Sequence, residues 1–160
     1  MKKSLYLYIL AALCSLFFTC APSAATERLP YVEGWINGDI RVTVLDTVSG
    51  SRGTWAERDY RTADGVPFHA VWLDGAGCKS WDIKNTVISA DDGPLGSGAN
   101  YKTLIVAGEN AEIEHHPIMG YSLSIKVGDL GVLTLESKIS TEKELIDAGK
   151  MLIGKILQQN

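Results

Sequence analysis

The sequence predicts an α+β fold: a curved antiparallel sheet of about seven or eight strands, with one C-terminal helix packed on it. Three observations carry this. Turn signals such as Asp64-Gly65 and Gly128-Asp129-Leu130-Gly131 join alternating stretches into hairpins, and hairpins make antiparallel sheets. The run Gly120–Val127 alternates strictly, with Tyr121, Leu123, Ile125 and Val127 on one face. The segment after Thr141 changes period, and Leu145, Ala148, Gly149, Leu152, Ile153 and Ile156 fall on one helical face.

The closing unit, Gly120 to Leu157, reads as strand, turn, strand and helix. Val132–Ser137 returns from the turn with Leu133 and Leu135 on one face. A hairpin with one apolar face needs a cover, and the helix follows at once. Thr141 is placed to cap it, with Glu144 at capping-box spacing. Gly149 sits on the apolar face, where close approach to the sheet explains a glycine; Gly154 has no such account. The helix is too short to span a bilayer, which takes about 20 apolar residues.

The chain begins with a positive Lys2-Lys3 pair, an apolar run from Leu5 to Phe18, and small residues at Ser23-Ala24-Ala25. This is the layout of a secretory signal peptide cleaved after Ala25, leaving residues 26–160 as a single domain. An uncleaved anchor is one alternative. Cys20 offers another: an apolar run ending in cysteine resembles bacterial lipoproteins, in which that cysteine is lipidated. Here Phe17-Phe18-Thr19 stand where that pattern prefers Leu and small residues. The expected location is therefore periplasmic or secreted, with membrane attachment only if Cys20 carries lipid.

Removing residues 1–25 takes away two lysines and no acids, so the formal charge moves from −4 to −6. An acidic chain is a poor partner for nucleic acid or an anionic membrane surface. The remaining 135 residues can bury one adequate core. Only Cys78 then remains, so no internal disulfide forms.

In the middle of the chain, Thr26–Pro30 reads as a disordered lead. Ile40–Val48 reads as a strand, with Ile40, Val42 and Val44 on one face, and Ser49–Gly53 as a loop. Thr54–Arg61 and Phe68–Leu73 form a hairpin around Asp64-Gly65. Ile83–Ser89 is ambiguous between strand and helical turn, and Asp91–Gly98 is a loop. Tyr101–Ala107 is a strand, turned at Gly108-Glu109-Asn110, and Ala111–His116 runs back to Pro117.

The run Ala107-Gly108-Glu109-Asn110-Ala111, the hairpin Tyr121–Glu136 and the helix Thr141–Leu157 resemble, in organisation, the closing part of PsbP-like domains. That secreted or lumenal α+β fold is named for a photosystem accessory protein. The resemblance covers about a third of the chain. It implies an exported domain without enzymatic activity and carries over no functional residue.

Chemistry-bearing motifs are few. His115 and His116 are adjacent in a strand, so they point to opposite faces and cannot chelate one ion. Glu112, Glu114 and His116 share a face, but one strand spreads them too far apart to converge on a metal. His69 lies in an apolar strand, where a hydrogen-bonded structural role is the default, and no Gly-x-Ser-x-Gly or ordered triad accompanies it. Neither Gly75-Ala76-Gly77 nor Gly93–Gly98 has the Lys-Ser or Lys-Thr of a phosphate loop. Four tryptophans, Trp35, Trp55, Trp72 and Trp81, suit core packing first and a pocket or contact surface second; Trp81 is expected to be the most exposed.

The sequence therefore points to a non-catalytic binding or protein-interaction module. Its partner would be a protein or small ligand of the cell envelope, with no cofactor and no metal. A small-ligand carrier with a Trp-lined pocket is the alternative, and an enzyme comes last. The candidate binding residues are His69, Trp72, Cys78 and Trp81, and the segment Asp74–Asn100 is where a site is expected.

Overall fold

The computed structural model describes residues 28–48, 50–75, 78, 81, 83 and 98–159. Eight strands form one antiparallel sheet: β1 (Ile36–Asn37), β2 (Arg41–Thr47), β3 (Gly50–Arg61), β4 (Pro67–Leu73), β5 (Asn100–Val106), β6 (Glu109–His116), β7 (Gly120–Val127) and β8 (Gly131–Ser137). The C-terminal helix, α1 (Glu142–Gln158), follows. The order across the sheet is β1-β3-β4-β8-β7-β6-β5, with β2 also paired to β3. Two halves, β1–β4 and β5–β8, thus meet along the β4–β8 pair, where Ala70 faces Leu135 and Trp72 faces Leu133.

One face of the sheet carries the core. Alternation puts Ala56, Tyr60, Phe68, Ala70, Trp72, Leu133, Leu135, Leu123, Ile125, Ala111 and Ile113 on it, all buried. The helix covers the β7–β8 part of this face with the six residues its periodicity selects. Its start is fixed as the sequence indicates. The Thr141 hydroxyl accepts from the Glu144 N–H, while the Glu144 carboxylate accepts from the Thr141 N–H.

A second cover is the N-terminal segment. Residues 28–30 are not a free lead: Leu29 is fully buried and Val32 is 1 % exposed. Arg58 donates to the Leu29 carbonyl, and the Tyr60 hydroxyl donates to the Pro30 carbonyl at 2.8 Å. Trp35 packs edge-on against both Tyr60 and Phe68. Asn37 ties the segment into a loop by accepting from the Val32 N–H and donating to the Val32 and Trp35 carbonyls. Burial of Leu29 and Val32 over β3 and β4 outweighs the polar look of their neighbours.

Two strand boundaries differ from expectation. β3 begins at Gly50, so most of the expected Ser49–Gly53 loop is strand. It can run on because Gly53 and Gly75 let two backbones touch. A Cβ on Gly53 would lie 2.0 Å from the Asp74 carbonyl oxygen, and one on Gly75 1.9 Å from that of Arg52. The β5–β6 turn is Ala107-Gly108, one residue earlier than its sequence suggests, since Val106 pairs directly with Glu109. Both turn residues have positive φ, 52° and 89°. Ala107 adopts this rare conformation because the register on either side demands a two-residue turn. Val42 and Val44 share a face as expected, but both are exposed, because the covers stop short of β2. Residues 84–97, including most of the ambiguous Ile83–Ser89 stretch and the Asp91–Gly98 loop, lie outside the described residues.

The opposite face of the sheet is partly covered. The Cys78 thiol donates to the Leu73 carbonyl and Lys126 donates to the Trp81 carbonyl, so Cys78 and Trp81 lie over this face. Val71 and Val132 are buried there. The cover lies where β4 ends and β8 begins. Among the described residues, nothing covers the other end of the same face.

Candidate functional site

The open end is built by a row of side chains running across five strands. Pairing places Asp59 beside His69, His69 beside Glu136, Glu136 beside Ser122, and Ser122 beside Glu114. All are on the face away from the helix. Asp59 Oδ1 lies 2.8 Å from His69 Nδ1. Glu57 Oε2 lies 3.6 Å from His69 Nε2, too long for a hydrogen bond but close enough to feel its charge. Glu57 in turn pairs with Arg41 at 2.7 Å and accepts from the Trp55 indole. Both ring nitrogens of His69 therefore face carboxylates.

Two grooves lie on either side of a ridge formed by Glu136, Ser137 and Lys138. One, of about 500 Å³, is bounded by β1, β3, β4 and Ile139. The other, of about 380 Å³, is bounded by β6, β7 and Met119. His69, Glu136, Ser137 and Lys138 line both. The ridge is held from beneath. Ser137 Oγ donates to the Pro67 carbonyl at 2.7 Å and accepts from the Ser140 N–H at 3.1 Å. Gly120, at φ 85°, lets β7 start under the ridge: a Cβ there would lie 2.3 Å from the Ser137 carbonyl oxygen.

The rim of these grooves is apolar and exposed. Ile36 is 68 % exposed, Ile118 81 %, Met119 56 % and Ile139 72 %. Ile36 lies in β1, Ile118 and Met119 in the β6–β7 turn and Ile139 in the β8–α1 connection, and the topology brings these three segments to one end of the sheet. The Ile118–Met119 turn is ordered by His116, whose Nδ1 accepts from both backbone N–H groups at 3.1 Å. Both bonds use the Nδ1 lone pair. His115 points the other way and stacks on Tyr121, ring centroids 4.4 Å apart, beside a third groove on the helix side.

The four residues expected to form a site do not come together. Trp72 is fully buried on the core face, with Arg28 over its ring. His69, three residues earlier on β4, points to the opposite face. Cys78 is 5 % exposed and Trp81 partly exposed, both at the covered end. Burial and the nearby Asp74 carboxylate push the Cys78 thiol above its ordinary pKa. Trp55, at 38 % exposed, is more open than Trp81. Of the four, His69 alone lines the grooves described above. Most of Asp74–Asn100 lies outside the described residues.

The residues that sequence reasoning missed are Ile36, Ile118, Met119, Glu136, Lys138 and Ile139. A signal was present: Ile118-Met119 and Ile139 are apolar residues in connections, where polar residues are the rule.

Chemically, among the described residues, the row offers carboxylates and an imidazole but no nucleophile within reach. Ser122 is two strands from His69, about 10 Å at the usual strand spacing. The Ser137 hydroxyl is on the other face, bonded to Pro67. Among the described residues, no three His, Cys, Asp or Glu side chains are grouped closely enough to hold a metal ion. Comparison with protein-family models, curated proteins and solved structures finds no match to this chain.

Proposed function

We propose that this chain is an exported, non-catalytic protein-interaction module whose contact surface is the open end of the sheet around the Glu136–Lys138 ridge. The observation that carries this is the apolar rim: Ile36, Ile118, Met119 and Ile139 are each more than half exposed, three of them line the two grooves, and Ile118 adjoins Met119. Exposed apolar patches with polar surroundings mark contact sites. The engagement of both His69 nitrogens by carboxylates favours a structural role for that residue over general-base work. The scatter of the tryptophans favours an interaction surface over a Trp-lined carrier.

Arg28 lies by Trp72 and Pro30 by Tyr60, so the described chain comes in near the covered end and runs toward the rim.

Photo-crosslinking in the native cell envelope tests the reading. A photoreactive residue at position 118 or 139 should give a defined protein adduct, and one at Lys150, on the exposed face of α1, should not. Equal adducts from all three positions, or none from 118 and 139, would overturn it.

A further inference from the structure

We propose that Asn37 is a latent modification site: the fold keeps its side-chain amide from deamidating, and conversion, once it occurs, releases the N-terminal cover. Asn37-Gly38 is the one Asn-Gly dipeptide in the chain. Asparagine before glycine is prone to cyclise, because glycine has no side chain to shield its nitrogen or restrict its backbone. The Gly38 backbone nitrogen attacks Asn37 Cγ. A Gly38 N–Cγ bond forms, the Asn37 Cγ–Nδ2 bond breaks, and the Gly38 amide proton leaves with Nδ2 as ammonia. Water then opens the cyclic imide at either carbonyl, leaving aspartate or isoaspartate.

The structure restrains both reacting groups. The Gly38 N–H donates to the Asp59 carbonyl at 2.8 Å, and Asn37 pairs with Tyr60, so this backbone is held along β3. The Asn37 amide is fixed three times. Its Oδ1 accepts from the Val32 N–H at 2.8 Å, and its Nδ2 donates to the Val32 carbonyl at 2.9 Å and the Trp35 carbonyl at 2.8 Å. Nitrogen and amide are freed together only when β1 lifts from β3 and the loop from Val32 to Asn37 opens, a local opening short of global unfolding.

Conversion is one-way. A carboxylate at position 37 can still accept from the Val32 N–H, but it has no N–H for the Val32 and Trp35 carbonyls and sets negative charge against both. Isoaspartate also adds a carbon to the main chain, which spoils the pairing of Ile36 with Arg61 and of Asn37 with Tyr60. The same loop holds Trp35 edge-on to Tyr60 and Phe68, and Ile36 and Gly38 line the larger groove. A change at one amide is thereby carried to the aromatic cluster and to the groove wall, whatever binds there.

Mass spectrometry of the tryptic peptide Leu29–Arg41 reads the reaction in the full chain, since Asn37 is the only amide side chain in that peptide. At mildly alkaline pH, conversion should be at least about tenfold slower in native buffer than in urea, because reaction must pass through the opening. Leu29→Ala leaves the Asn-Gly pair intact but removes a buried anchor of the same cover. Its conversion in native buffer should be at least about threefold faster than that of wild type. Asn37→Asp should lose hydrogen-exchange protection across residues 29–41 while α1 keeps it, which shows that the rest of the chain is folded. Equal conversion in native buffer and in urea overturns the inference. So does a Leu29→Ala rate equal to wild type, or an Asn37→Asp chain as protected as wild type across residues 29–41. If Asn37→Asp does not fold, the two rate comparisons still decide.

Discussion

Gly149 brings the backbone of α1 directly onto Ile125 of β7: a Cβ at position 149 would lie 3.0 Å from Ile125 Cδ1 and 3.0 Å from Leu123 Cδ2. Ile125 and Leu123 are fully buried, so neither methyl has free space to move into. Around Gly154, by contrast, nothing lies within 4 Å of the same atom.

The two helix glycines should therefore answer oppositely to alanine. Gly154→Ala should stabilise the fold by about 0.5–1 kcal/mol, the helix-propensity gain alone. Gly149→Ala earns the same propensity but overpacks the core, and a net loss of about 1 kcal/mol is expected. Urea midpoints for both variants decide this. A gain at position 149 equal to that at 154 would show that the helix stands further off the sheet.

Gly53 and Gly75 should be far less tolerant. Each would drive a Cβ into the other strand's backbone, and the adjacent Asp74 carboxylate bonds the Thr54 N–H and hydroxyl at 2.7 Å each. Alanine at either position should cost about 2–4 kcal/mol. Wild-type stability in Gly53→Ala would contradict the crossing.

The Ala107-Gly108 turn holds an alanine at φ 52°. Asparagine tolerates that region, and Asn-Gly suits a two-residue turn with both φ values positive. Ala107→Asn should raise stability by about 0.5–1 kcal/mol. An unchanged or lowered midpoint would argue against this turn position.

Burial lifts the Tyr60 phenol to about 12, against the lowering pull of Arg58. Below pH 10 the hydroxyl is protonated in both the folded and the unfolded chain, and its contribution is fully present. Between about pH 10 and 12 the unfolded chain loses this proton first, so stability falls as pH rises, by roughly 3 kcal/mol in all. Tyr60→Phe lacks this decline. It should be about 1–2 kcal/mol less stable than wild type near pH 8, where the Pro30 carbonyl loses its donor. The deficit should shrink and then reverse toward about pH 12. A constant difference across that range would refute the burial of the hydroxyl.

Cys78 should behave as an inert thiol. Burial, its bond to the Leu73 carbonyl and the Asp74 charge all disfavour the thiolate. Reaction with a disulfide reagent at mildly alkaline pH should be at least about 100-fold slower in native buffer than in urea. Comparable rates would place the thiol at the surface.

How much of this was legible beforehand follows the range of the interactions. The helix was readable to the residue, from Thr141 and Glu144 to the six buried positions, because capping and a 3.6-residue period are local. The hairpin Tyr121–Glu136 was readable for the same reason. Gly131 looked like a turn residue. Its necessity is tertiary: a Cβ would lie 2.7 Å from Trp72 Cζ2, a contact across strands 59 positions apart in sequence. The docking of Leu29 could not be read either, since it depends on Arg58 and Tyr60 reaching the Leu29 and Pro30 carbonyls from β3.

The amino-acid sequence by itself determined the α+β class, the antiparallel pairing of neighbours and the closing helix, because periodicity and turn chemistry act over a few residues. Only the tertiary structure decided that β4 pairs with β8, and the candidate site depends on that pairing. It sets His69 beside Glu136 and brings β1, the β6–β7 turn and the β8–α1 connection to one end of the sheet, leaving their four aliphatic side chains as an exposed rim. No local pattern encodes which distant strands meet. Burial of the whole core face selects that arrangement, and the rim is what it leaves uncovered.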